Sequence, residues 1–162
     1  MILGHGDIAS VLVDREGFCF FASGVSNSGE TRASEYNREY TLLLSQNPDL
    51  HLVYFSSLCV FYANTRYAEH KKFMEDMVRR FFSSHTIIRL GNITWGVNPH
   101  TLINHLRAQR RAGLPLDIQD TTRYVVDLGE FLHWMSLIPE WNCEMNITGR
   151  RMSIRQIVDE LV

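Results

Sequence analysis

LVYFSSLCVFYANTRYAEHKK, residues 52–72, is an apolar run that closes on paired serines directly before a segment with helical spacing. An apolar run of this length, bounded by polar residues, reads as a buried strand, His51 to Ser57, and the segment Tyr67 to Phe82 reads as the helix that follows it. Tyr67 and Lys71 stand four residues apart at the start of that helix, so their side chains share one face, one turn apart. The spacing has a chemical use. A free phenol loses its proton near pH ~10, and a neighbouring ammonium favours the phenolate, which makes a tyrosine an acid or base nearer neutrality. A serine hydroxyl at the end of the preceding strand, Ser57, would hold a substrate hydroxyl or carbonyl within its reach. An isolated YxxxK is more often an aromatic packed beside a solvated lysine. Here the chain has only two lysines, Lys71 and Lys72, and the first falls in register behind the serines.

Outward from this stretch, strands and helices alternate. MILGHGDIASVL packs a short strand, Met1 to Leu3, a glycine turn and a helix start into twelve residues, and Ile8 to Arg15 reads as a brief helix. Gly4, Gly6 and Ala9 fit G-x-G-x-x-A, the turn in which backbone approaches a pyrophosphate while the next helix offers its free N–H groups. Asp7 sits awkwardly in such a turn unless it points away or caps the helix. Phe18 to Gly24 reads as a buried parallel strand that opens into the polar loop VSNSGETRAS, and Ala33 to Ser45 places Tyr36, Tyr40, Leu43 and Leu44 at helical spacing. HTIIRLGNITWG, residues 85–96, is a further strand and loop. The pattern from Met1 to Leu90 predicts an α/β fold with a parallel sheet and helices on its faces.

After Gly96 the rhythm changes. Pro99 to Ala112 reads as a helix, GLPLDIQDTTRYVV as a turn with short strands, DLGEFLHWMSL as a helix, CEMNITG as a short strand, and MSIRQIVDELV as a closing helix with Ser153 at its N-cap. This half, 97–162, is too small to fold alone and reads as a lobe on the 1–96 core. Arg107, Arg110 and Arg111 form a basic run that reads as a solvated face, not a nucleic-acid surface.

Composition narrows the class. At 162 residues, with 45% apolar and 21% charged residues, the chain suits one soluble unit with a core of its own. A net charge of -2 gives no argument for a nucleic acid or membrane partner. Three scattered cysteines fit reduced thiols rather than a disulfide framework, and no apolar stretch approaches the ~20 residues of a membrane span, so the cytoplasm is the expected compartment. No metal site is expected, since the seven histidines include no H-x-x-x-H spacing.

Taken together, the motifs resemble the extended short-chain dehydrogenase/reductase superfamily, which includes nucleotide-sugar epimerases, dehydratases and reductases. VYFSSLCVF resembles its serine strand, with Ser57 three before Val60 as in S-x-x-V. YAEHK matches its YxxxK, and IIRLGNITWG resembles its R-x-x-N-x-x-G strand and loop. AGLPLDIQDTTRYVVDLGEFL and MNITGRRMSIRQIVDEL are similar to later segments of the same families. The resemblance implies a Rossmann-like fold of reduced strand number with a small C-terminal substrate lobe. It implies Tyr67 as acid/base, Lys71 as the residue that lowers its pKa and binds the nicotinamide ribose, and Ser57 as the group that orients substrate. Gly4, Gly6 and Ala9 would hold the pyrophosphate of NAD or NADP, and Asn92 and Arg123 the diphosphate of a nucleotide sugar. With the Phe and Met stripe of the Tyr67 helix it points to a homodimer. The chain departs from the family pattern of G-x-x-G-x-x-G, whose first glycine falls on Leu3. No room remains for the two strands that normally follow, and Asp14 comes too early to bind the adenosine ribose. These losses favour an alternative, a nucleotide or sugar-nucleotide binding protein without turnover.

Overall fold

The computed structural model describes residues 1–116 and 118–162; Asp117, within the stretch read as turn and short strands, lies outside the described residues. Strands β1 (Ile2–Leu3), β2 (Phe18–Phe21), β3 (His51–Ser57), β4 (His85–Leu90) and β7 (Cys143–Ile147) form a five-stranded sheet in the order β1-β2-β3-β4-β7, parallel throughout. Strands β5 (Asn92–Ile93), β6 (Thr122–Val126) and β8 (Arg150–Ser153) form a second, three-stranded sheet in the order β5-β6-β8. The helices are α1 (Ala33–Leu44), α2 (Arg66–Phe81), α3 (Leu102–Arg111), α4 (Leu128–Ser136) and α5 (Ile154–Leu161).

The continuous apolar strands follow from a sheet covered on both faces. Phe18 and Phe20, Val53 and Phe55, and Ile88 and Leu90 point to one face, where Phe131 of α4 and Ile138 close the core. Cys19 and Phe21, Leu52 and Tyr54, and Ile87 point to the other, under Leu43 of α1 and Met74, Met77 and Val78 of α2. The α2 stripe therefore divides: its methionines are core, while Phe73 and Phe81 are 44% and 51% exposed. A third cluster joins α3 and α5 to the small sheet through Ile103, Leu106, Val125, Met152 and Ile157. So the part after Gly96 contributes the central strand β6 and the outer strand β8 of the small sheet, and one strand, β7, of the main sheet.

One element differs from its sequence reading. The helix expected over Ile8 to Arg15 is a single 3-10 turn, Ala9–Val11, after which Leu12 is already extended. Ile8, Val11 and Leu12 all pack against the same core face. The Met1 ammonium also draws Asp14 and Phe18 O to the chain start, tying this connection down where a longer helix would run. The α3 helix begins at Leu102 instead of Pro99, where the Thr101 hydroxyl accepts the Asn104 N–H. Ser153 caps α5 as expected, in a reciprocal capping box with Gln156.

Candidate active site

Ligand clefts in open parallel sheets lie beyond the carboxyl ends of the strands. Here a cleft of about 580 Å³ opens at those ends, lined by residues that follow β1, β2, β3 and β4 and by the small sheet. Ser57 terminates β3. Tyr67 is in the first turn of α2, whose start is fixed by the Thr65 hydroxyl accepting the Ala68 N–H, and Lys71 lies one turn further on. Gly6, Ser57, Tyr67, Lys71, Asn92 and Arg123 all line this cleft. Gly4 and Ala9 do not.

The three small residues of the first turn thus have different surroundings. Gly4 has φ +119°, and a Cβ there would stand 2.3 Å from Ala22 O, so glycine is needed for β1 to pass close to the end of β2. Ala9 is buried. Gly6 has nothing within 4 Å of a Cβ position. Asp7 points away from the turn: its carboxylate accepts the N–H groups of Val97 (2.9 Å) and Asn98 (3.0 Å), and its carbonyl accepts Trp95 Nε1 (3.1 Å). Gly96, at φ +90°, leaves the room that this carboxylate fills.

Beneath the cleft lies a group of residues that the sequence reading missed. Lys71 Nζ donates to Glu39 Oε1 (2.9 Å) and to Tyr54 Oη (3.1 Å), and it lies 5.7 Å from the centre of the Tyr67 ring. Glu39 also accepts the Tyr54 hydroxyl (2.6 Å) and the Val25 N–H (2.7 Å), with His70 Nε2 at 3.0 Å. Glu39 is 0% exposed and Lys71 2%, so this ion pair is almost wholly buried at the floor of the cleft. Gly24 covers it, because a Cβ there would come 2.7 Å from Lys71 Nζ and 2.8 Å from Glu39 Oε1. Burial pushes the Glu39 carboxyl up, but the Lys71 ammonium and the bonds from His70, Tyr54 and Val25 outweigh it, and the carboxyl lies well below its ordinary range. Tyr67 is shifted the opposite way from the sequence expectation. Burial, reinforced by Cys59, Glu39 and Tyr36, raises its phenol well above pH ~10, and the bond with Ser57 only partly opposes this.

A signal for this pairing existed. Glu39 stands at i+3 from Tyr36 and four before Leu43, on the buried stripe of α1, and Lys71 stands three before Met74 on the buried stripe of α2. An acid and a base that both interrupt apolar stripes need each other once buried.

No protein-family model matches the sequence, and no curated protein does. Solved structures do match. The enzyme WbmG of Bordetella bronchiseptica in complex with NAD superposes with a TM-score of 0.67 at 16% identity, over 88% of this chain and 54% of that one. A dTDP-glucose 4,6-dehydratase of Bacillus anthracis in complex with NAD gives 0.67 at 15%, over 89% and 55%. UDP-glucose 4-epimerase of Thermotoga maritima with UDP-glucose gives 0.66 at 16%, over 90% and 60%. These likenesses show the fold: a Rossmann-like parallel sheet flanked by helices, shared with these epimerase and dehydratase structures. The chain spans a little over half the length of those structures. Its Rossmann-like sheet has five strands, and β1 passes to β2 through one turn.

Proposed function

We propose that this chain is a small NAD(P)-dependent enzyme of the epimerase/dehydratase kind acting on a nucleotide sugar. One observation carries the reading: Ser57 of β3, Tyr67 and Lys71 of α2, Asn92 of β5 and Arg123 of β6 line one cleft. Its volume is in the range of sites that bury a single large ligand.

The residues present fit the nicotinamide-ribose end of such a cofactor, because Tyr67 and Lys71 face the cleft together and Gly6 leaves its backbone open to approach. When bound, the cofactor would supply the hydride acceptor and donor. Lys71 Nζ, one of whose donors goes to Glu39, would offer another to the ribose hydroxyls. Tyr67 would take the proton from a substrate hydroxyl and return it, with the Ser57 hydroxyl holding that oxygen in place. Asn92 Nδ2 donates to Tyr124 O (3.1 Å), and Arg123 donates to Thr121 Oγ1 and Thr122 O (both 3.0 Å). Both side chains are thereby fixed on the wall where the substrate's diphosphate would lie. In this reading residues 1–96 are the cofactor core and 97–162 supply the substrate wall, with β7 as their shared strand. The exposed Phe73 and Phe81 of α2 would form the homodimer face.

A second reading, a sugar-nucleotide binder without turnover, is favoured by the neutralised Lys71 and by the missing helix after Gly6. Thermal melts separate the two. A ligand at 100 times its Kd stabilises by about 2.7 kcal/mol. NAD or NADP at millimolar concentration is expected to raise Tm for the enzyme. A shift with UDP-sugars alone supports the binder, and silence from both cofactors overturns the proposed activity.

A further inference from the structure

Lysine lowers a neighbouring tyrosine's pKa only with charge that is not already neutralised. In this chain Lys71 faces Tyr67 across 5.7 Å, yet holds the Glu39 carboxylate at 2.9 Å in an almost wholly buried pair. A carboxylate that close turns the ammonium into one end of a dipole, whose field falls off faster than that of a single charge. The arrangement is held from four sides. Tyr54 donates from β3, Val25 from the loop after β2, and His70 sits against the second carboxylate oxygen, while Gly24 leaves just enough room above.

We propose that Glu39 is a positioning residue that fixes the Lys71 ammonium beneath Gly24 and withholds its charge from Tyr67. The inference rests on the proposed activity for its purpose. With Glu39 ionised and no cofactor bound, Tyr67 stays a protonated phenol. A cofactor ribose must share Lys71 with Glu39, and any contact that draws the ammonium away from the carboxylate returns charge to Tyr67. The groups facing Tyr67 are Cys59 from the turn after β3, Glu39 and Tyr36 from α1, Tyr54 from β3, and Lys71 on its own helix. Lys71 is the one cation among them.

The test uses the whole chain without cofactor or substrate and follows tyrosinate absorbance against pH, with the Tyr67→Phe variant subtracted to isolate Tyr67. In Glu39→Gln the Tyr67 step is expected to move down by about 1 to 3 pH units. Glu39→Asp, which keeps the charge, should restore a titration close to wild type. An unmoved or raised step in a folded Glu39→Gln chain overturns the proposal. Should that variant fail to fold, the charge-neutral double variant Glu39→Gln, Lys71→Met decides. Its Tyr67 step should stay near the wild-type value, whereas a rise would mean that Lys71 had been acting on Tyr67 all along, which also overturns it. No nicotinamide enters these titrations. A chain that shows the shift but binds no cofactor keeps the positioning role and loses the proposed function.

Discussion

Single atoms decide several features of this chain. At Gly4 a methyl group would meet the Ala22 carbonyl on a backbone already at positive φ. Gly4→Ala is therefore expected to lower stability by about 1–3 kcal/mol, read as a shift of the urea midpoint, while Gly6→Ala, with open space around it, should leave stability nearly unchanged. Such distinctions are invisible in a glycine pattern, which fits Gly4, Gly6 and Ala9 equally well to a phosphate turn. Ser57, Tyr67 and Lys71 were legible because strand end and helix start are set by local rules: the apolar run stops at the serines, and α2 is capped by Thr65. What Lys71 touches was not legible. Its partner lies on α1, 32 residues earlier, and only the sheet brings the two helices together.

At the scale of elements, α2 is bolted to the sheet by a second buried carboxylate. Glu75 accepts Ser56 Oγ (2.7 Å), Arg89 Nε (2.9 Å) and Arg79 Nη2 (3.0 Å), and Arg89 and Arg79 both reach on to Glu144 of β7. Arg89 is 8% exposed, whereas the Arg79 side chain is 35% exposed. Removing one partner of a buried pair costs about 3–5 kcal/mol. Arg89→Met should fall at the lower end, because Arg79 and Ser56 still hold the carboxylate. Arg79→Met should cost about 1 kcal/mol or less. Equal losses in urea melts would show that the buried arginine is not the one that matters. This network ties the strand that ends in Ser57 to the helix that carries Tyr67, so it sets their mutual position. The succession of strands β1 to β4 along the chain and the helices between β2, β3 and β4 could be read from alternating apolar runs, each of which carries its own period. The turn at Ala9–Val11, the pairing of β7 with β4 and the strand β8 could not. They depend on contacts between distant segments, and β8 occupies residues whose spacing also suits the start of α5.

Across the molecule, buried titrating groups give stability a predictable pH dependence. Burial, with help from His85 and Arg15, lowers the pKa of His51, which is clasped between Ser84 Oγ (2.7 Å) and Thr86 Oγ1 (2.8 Å). The unfolded chain then binds the proton more readily, so stability falls as pH drops below about 6.5. Glu39 and Glu144 are shifted below their ordinary range, Glu39 despite its burial and Glu144 chiefly through its bond with Arg79. Their contribution is complete above the ordinary carboxylate value, about 4.3, and is lost below it. Urea melts from neutral to acid pH should show a shallow decline first and a steeper one after. His51→Gln should remove the first without touching the second. Among the described residues no helix is long and apolar enough to cross a membrane.

All these pieces converge on Tyr67, and the most direct measurement is turnover. Wild type and Tyr67→Phe would each be mixed with NAD or NADP and a panel of UDP- and dTDP-sugars, while nicotinamide absorbance and sugar products are followed. The proposed activity predicts turnover in the wild type that falls by about 10²–10⁴-fold in Tyr67→Phe. Turnover that survives the loss of the phenol, or none on any sugar nucleotide with either cofactor, would contradict it.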